Sequence, residues 1–215
     1  MALESLLKVV RRGGSQDTQN ASVHGNEQND LFIAQGAPPY TDLARRGRGW
    51  SVVTATPFAP QVVLPATIAK LEVKNGHATQ LMVIDRVWAW QLLGTAAAQA
   101  YAVFAQVGAA VQSAITGLVV YSANGSSKYT SVAGSPAEVA IDQTVVANGW
   151  QPFGAVQAWG TAAATPGPAN VGEVEGRLVV EPGMAVHVTV TGSLATASSF
   201  HCGVSWYFLG LTNEN

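Results

Sequence analysis

Hydrolytic or metal-dependent chemistry needs nucleophiles, bases or ligands at short, regular spacings, and the reactive side chains of this sequence are few and dispersed. The histidines are His24, His77, His187 and His201, and the one cysteine is Cys202. His187 and His201 fall on consecutive apolar segments. Paired about a turn near residues 195–197, however, they stand several residues out of register, and Glu175 and Glu181 are weak third ligands. No metal and no cofactor is expected, since no glycine-rich loop joins a strand to a helix either. Neither GxSxG nor HExxH occurs. A lone cysteine excludes an intramolecular disulfide, and within SSFHCGVSWYF it reads as a small buried hydrophobe.

Paired carboxylates are the other route to chemistry, through glycoside hydrolysis. The candidates are Asp85, Asp142, Glu173 and Glu175. Asp85 and Arg86 are adjacent in an apolar strand, so alternation sends them to opposite faces, each needing its own partner. Glu173 and Glu175, at spacing two in VGEVEG, read as solvated charges on a strand edge. An enzyme using Asp85 or Glu173 is therefore the third choice among functions, and no catalytic residue is assigned. Six tryptophans offer a different activity. Trp88 and Trp90, at spacing two, share one face of a strand, where they either pack or form a sugar-stacking platform.

The elements that must position these groups are β-strands. Ala69, Leu71 and Val73 alternate with Lys70, Glu72 and Lys74, which predicts a half-buried strand. Asn75-Gly76 follows as a tight-turn signal. The next run, Leu81 to Leu93, is apolar at both parities, as in a strand covered on both faces. Met184, Val186, Val188 and Val190 share one face of a later strand, opposite His187, Thr189 and Thr191. Phe200, Cys202, Val204, Trp206 and Phe208 share one face of the last. Turn residues at SANGSS, ANGW, ATPGPAN and EPGM punctuate the chain, so the fold class is an all-β sandwich or barrel. Residues 94–117, uncharged and Ala-rich, fit either a helix with Tyr101, Phe104, Val111 and Ile115 on one face or two strands joined near Gly108. The flanking strands favour the second reading.

The first part of the chain differs in composition. Residues 1–48 hold 11 of the charged side chains, against 13 in all that follows. Residues 1–49 are read as an arm and residues 50–215 as the β domain. Leu3, Leu6, Leu7 and Val10 have the i, i+3, i+4, i+7 spacing of a helix face, ended by Gly13-Gly14, with Arg11 and Arg12 in its last turn. So short a helix is marginal alone and needs a surface to pack on. The polar stretch after it cannot offset the entropy of its own ordering. Arg45, Arg46 and Arg48, beside Asp42, are read as a partner-contacting patch. Charged residues form 11% of the 215-residue chain and the net charge is −2. Typical soluble domains hold roughly 25%. Such a chain offers nothing for nucleic acid and hides surface against other subunits. The N-terminus lacks the order of a signal peptide, and Gln99, Gln106 and Gln112 interrupt the Ala-rich segment, so neither export nor a membrane partner is expected.

A polar N-terminal arm, a charge-poor β body, the strand pair RLVVEPGMAVHVTVTG and the closing GVSWYF together resemble small virion proteins of tailed bacteriophages, the capsid decoration or cement proteins and related jelly-roll components. The resemblance covers residues 50–212 as strand texture and rests on no signature motif. It implies a jelly-roll body, a homo-oligomer (a trimer above all) bound to capsid or tail proteins of the same particle, assembly in the host cytoplasm, and no catalysis. The alternative is a carbohydrate-binding β-sandwich, a fibre-tip or lectin-like module using Trp88 and Trp90.

Overall fold

The computed structural model describes residues 44, 47–63, 67–93, 99–111, 115–146, 148–159, 169–192 and 198–210. The chain divides into two compact units, Met1–Pro39 and Tyr40–Asn215, and every described residue belongs to the second. The described residues form fourteen strands: β1 Gly49–Val53, β2 Ile68–Ala69, β3 Leu71–Asn75, β4 Gln80–Leu93, β5 Gln99–Ala109, β6 Val119–Ser122 and β7 Lys128–Thr130, then β8 Ala137–Ala140, β9 Gln143–Thr144, β10 Gln151–Trp159, β11 Ala169–Glu173, β12 Val179–Val180, β13 Met184–Gly192 and β14 Ser199–Gly210.

The expected all-β class is what forms. A larger antiparallel sheet runs β11-β4-β14-β1-β6-β7, with β12 also on β4; a smaller one runs β10-β5-β13-β3-β8; β2 and β9 make a two-stranded ribbon. The two large sheets face each other as a sandwich over a core built by alternation. Val52, Ile84, Val87, Phe200, Cys202, Val204 and Trp206 come from one, and Leu71, Val73, Val103, Val186, Val188 and Val190 from the other.

Eight strands carry the framework, and their pairing is nested. In chain order these are β1, β3, β4, β5, β10, β11, β13 and β14. The first pairs with the eighth, the second with the seventh, the third with the sixth and the fourth with the fifth. The chain between β5 and β10 supplies β6 and β7, which extend the larger sheet beyond β1, and β8, which extends the smaller beyond β3.

Three local expectations are corrected. Asn75-Gly76 is not a hairpin turn, because β3 and β4 lie in different sheets. Asn75 is instead a buried corner clamp whose Nδ2 donates to the carbonyls of Gln80 (2.7 Å) and Val180 (3.0 Å). Gly76 is required there because a Cβ would stand 2.1 Å from the Ser135 carbonyl oxygen. Within 94–117 the strand reading holds for β5, but Gly108 lies inside that single strand rather than at a junction.

The third correction concerns coverage. Among the described residues the outer face of β4 is only partly covered, with Arg86 and Leu92 exposed and Trp88 and Trp90 half-buried, whereas β3 and β13 are buried on both faces. On the outer side of the smaller sheet Glu72 and Thr189 are fully buried and His187 nearly so. The chain between β5 and β10 covers them. The Val111 N–H donates to the Glu72 carboxylate at 3.3 Å, and Gln106 Nε2 donates to the Val146 carbonyl at 3.1 Å. Polar residues at alternate positions looked like a solvent face, but Glu72, His187 Nε2 and Gln106 find partners under that cover, while Thr189 Oγ1 is buried without one.

Candidate functional site

The outer face of the larger sheet holds a depression of about 450 Å³, crossing β11, β4, β14 and β1 and reaching Ala44 and Ala123. Asp85, Arg86 and Trp88 of β4, Ser205 and Tyr207 of β14, Ser51 of β1 and Val171 of β11 line it.

A β-bulge builds its polar end. Ser205 pairs with Arg86 and Trp206 with Ile84, leaving Asp85 as the extra residue. Ile84 and Val87 both point into the core, so Asp85 and Arg86 both turn outward, and both line the groove. This overturns the expectation that these neighbours occupy opposite faces. Arg86 Nε donates to Glu173 Oε2 at 2.8 Å and stands 3.8 Å from Asp85 Oδ2; Ser205 Oγ donates to Asp85 at 3.4 Å. Burial raises the Asp85 carboxyl above the usual carboxylate value, and the charges of Glu173 and Glu175 add to the rise against Arg86 and Ser205.

Gly203 sets the apolar end. A Cβ there would lie 2.4 Å from Trp88 Cε2, 2.5 Å from Cζ2 and 2.6 Å from Nε1. Cε2 is a ring-fusion carbon, so the closest approach is to the face of the indole and not to its edge. Trp88 therefore lies flat over Gly203, its cross-strand partner, with its other face turned away from the sheet. The ring is half-buried.

Trp90 shares the outer face, as its spacing required, but not the groove. It stacks on His201 with centroids 5.3 Å apart, and His201 Nδ1–H donates to the Thr54 carbonyl at 2.8 Å. The expected two-ring platform is thus divided, with Trp88 in the groove and Trp90 held by a histidine. Of the other tryptophans, Trp206 is buried, and Trp50 faces the core against Tyr129 at 5.1 Å.

The remaining candidates are dispersed. His187 and His201 are on different sheets. His187 Nε2 lies 2.8 Å from Glu72 Oε2 in the buried layer of the smaller sheet. His77 packs edge-on against Phe208 at 4.4 Å, and burial lowers its pKa. Among the described residues no three His, Cys, Asp or Glu side chains converge as a metal site. Cys202 is buried and burial pushes its thiol pKa up, in keeping with a packing role. Glu173 is on an edge strand as expected, whereas Glu175 lies in the following turn with φ 52°. Asp142 accepts from Lys70 Nζ at 2.7 Å. Arg48 is exposed; Leu3, Leu6, Leu7, Val10, Arg11, Arg12, Arg45 and Arg46 lie outside the described residues.

Sequence reasoning missed Tyr207, Ser205 and Ser51 as groove residues and Gly203 as the seat of Trp88. Gly203, inside an otherwise apolar strand, was the available signal, because such a glycine marks close approach by another group. Comparison with known proteins finds no matching family model, no matching curated protein and no matching solved structure.

Proposed function

We propose that this chain is a non-enzymatic structural subunit of a virus particle, a capsid decoration or minor capsid component with a jelly-roll body. Its nested strand pairing supports the jelly roll, which is two sheets formed by folding one long hairpin on itself. The arm, residues 1–49, begins in a short helix carrying Leu3, Leu6, Leu7 and Val10 and grips neighbouring subunits, with Arg11, Arg12, Arg45, Arg46 and Arg48 meeting acidic partners. The body associates as a homotrimer bound to capsid or tail proteins.

The observation that carries this reading is apolar surface on a charge-poor body. Val146 is 74% exposed, Val156 69% and Val63 68%, and Val62 and Val132 also exceed half. Scattered valines are ordinary on any surface; this many, in a chain with 11% charged residues, point to association. Native mass measurement of the full chain at micromolar concentration tests it. A trimer is expected, and a monomer throughout overturns it. Deletion of residues 1–30 is expected to abolish joining of the assembly, and undiminished joining removes the arm from the account. The carbohydrate-binding alternative draws on one observation, the Trp88 groove.

A further inference from the structure

We infer that the groove on the outer face of the larger sheet is a binding site for a neutral saccharide, held by the free face of Trp88 and by the polar end around Asp85. This goes beyond the structural role, since a particle subunit needs no such site.

The first support is the ring. Gly203 lets the indole lie flat, with one face on the sheet and the other turned to the groove. A flat, half-buried aromatic face matches the C–H face of a pyranose, which is apolar and carries partial positive charge toward the π-cloud. The second support is the polar end. The bulge places Asp85 and Arg86 side by side, an acceptor and a donor, with the hydroxyls of Ser51, Ser205 and Tyr207 along the same lining. Such a mixture bonds hydroxyls, each of which both donates and accepts. The two opposite charges of the lining offset each other, and Arg86 is already paired with Glu173, so an acidic sugar gains nothing there. The volume, about 450 Å³, lies within the range of small-molecule sites.

The test is a printed glycan array of neutral and acidic oligosaccharides, probed with the full chain, followed by equilibrium titration of the strongest neutral hit. Wild type is expected to bind neutral glycans. Trp88→Ala is expected to lose about tenfold or more, and Trp90→Ala, outside the groove, to bind as wild type. Circular dichroism shows whether each variant is folded; if Trp88→Ala is not, Ser205→Ala with Ser51→Ala is expected to weaken the same binding. An array without hits overturns the inference, as do hits confined to acidic glycans or undiminished binding by Trp88→Ala. If instead the array is blank and Trp88→Ala changes the native mass, the groove is a protein contact and the saccharide reading fails.

Discussion

The two sheets of the sandwich have outer faces of opposite character. The smaller sheet carries Glu72, His187, Thr189 and Gln106 outward, and the chain's own insert buries all four. The larger carries Trp88, Trp90, Tyr207, Val53 and Val171 outward with no such cover among the described residues, and Val53 and Val171 are exposed. Residue type alone would assign them the other way round. The difference shows that polarity at alternate strand positions does not by itself report a face turned to water. A carboxylate can be fully buried when an imidazole stands 2.8 Å away and a backbone N–H closes over it. On the larger sheet, in contrast, Val53 and Val171 stay exposed where no described segment crosses them.

The strongest way to break this contrast is to unpair the covered face. Glu72→Ala removes the group 2.8 Å from His187 Nε2 and leaves a void, and His187→Ala takes the imidazole from a fully buried Glu72. Either is expected to cost about 3 kcal/mol in urea unfolding, for a buried polar partner lost together with the volume it filled. Replacing both by leucine is expected to recover most of that loss, because a well-packed apolar pair removes the desolvation problem. If each single substitution costs under about 1 kcal/mol, the layer over the smaller sheet is not sealed. Next in size are the glycines at close approaches. At Gly172 a Cβ would stand 2.3 Å from Phe153 Cβ, where β10 of one sheet meets β11 of the other. Gly172→Val is expected to destabilise by about 1–3 kcal/mol by thermal melt.

How much of this was legible follows from what each signal can encode. The core faces of β13 and β14 were readable because Val186, Val188 and Val190, and Val204 and Trp206, alternate without interruption. The nested pairing was not, since β1 meets β14 across most of the chain and nothing local specifies it. The groove was half legible. Trp88 and Trp90 were placed on one face, but the bulge that turns Asp85 beside Arg86 depends on an extra residue of β4 against β14 that no spacing reveals. Coverage was misjudged on both sheets for one reason: an insert far downstream of β3, Val111 and Val146 among its residues, decides it.

Two carboxylates, one per sheet, sharpen the contrast through pH. Burial pushes Glu138 of the smaller sheet upward, but bonds from Lys74 Nζ (2.8 Å) and the Gly134 N–H (2.7 Å) outweigh it and hold the carboxyl below its ordinary value. Its stabilising contribution is present above the unfolded value, near 4.5, and is lost as pH falls through the lower folded value. For Asp85 the sign reverses. Its folded value is raised, so the ionised group opposes folding at neutral pH, and that opposition disappears below the unfolded value, near 3.8. Melting curves from about pH 3 to about pH 8 should show Glu138→Gln lowering Tm at neutral pH and flattening the acid slope. Asp85→Asn should raise Tm at neutral pH and leave the acid end unchanged. The same sign for both variants would mean that the two environments do not differ as described.

The smallest effect is the most diagnostic of the bare face. Arg86 and Glu173 are each about half exposed, at 52% and 49% of their side chains, although only 2.8 Å apart. An ion pair so solvated contributes about 0–1 kcal/mol, and the Debye length of roughly 3 Å in 1 M salt screens most of it. Arg86→Ala should therefore change the unfolding free energy by less than about 1 kcal/mol, and salt should shrink the change further. Lys74→Ala, which takes a partner from Glu138, a side chain only 8% exposed, should cost more and respond less to salt. A large, salt-insensitive, concentration-dependent loss for Arg86→Ala would mean that a second subunit already covers the larger sheet under the conditions of measurement, and the groove would then belong to the assembly.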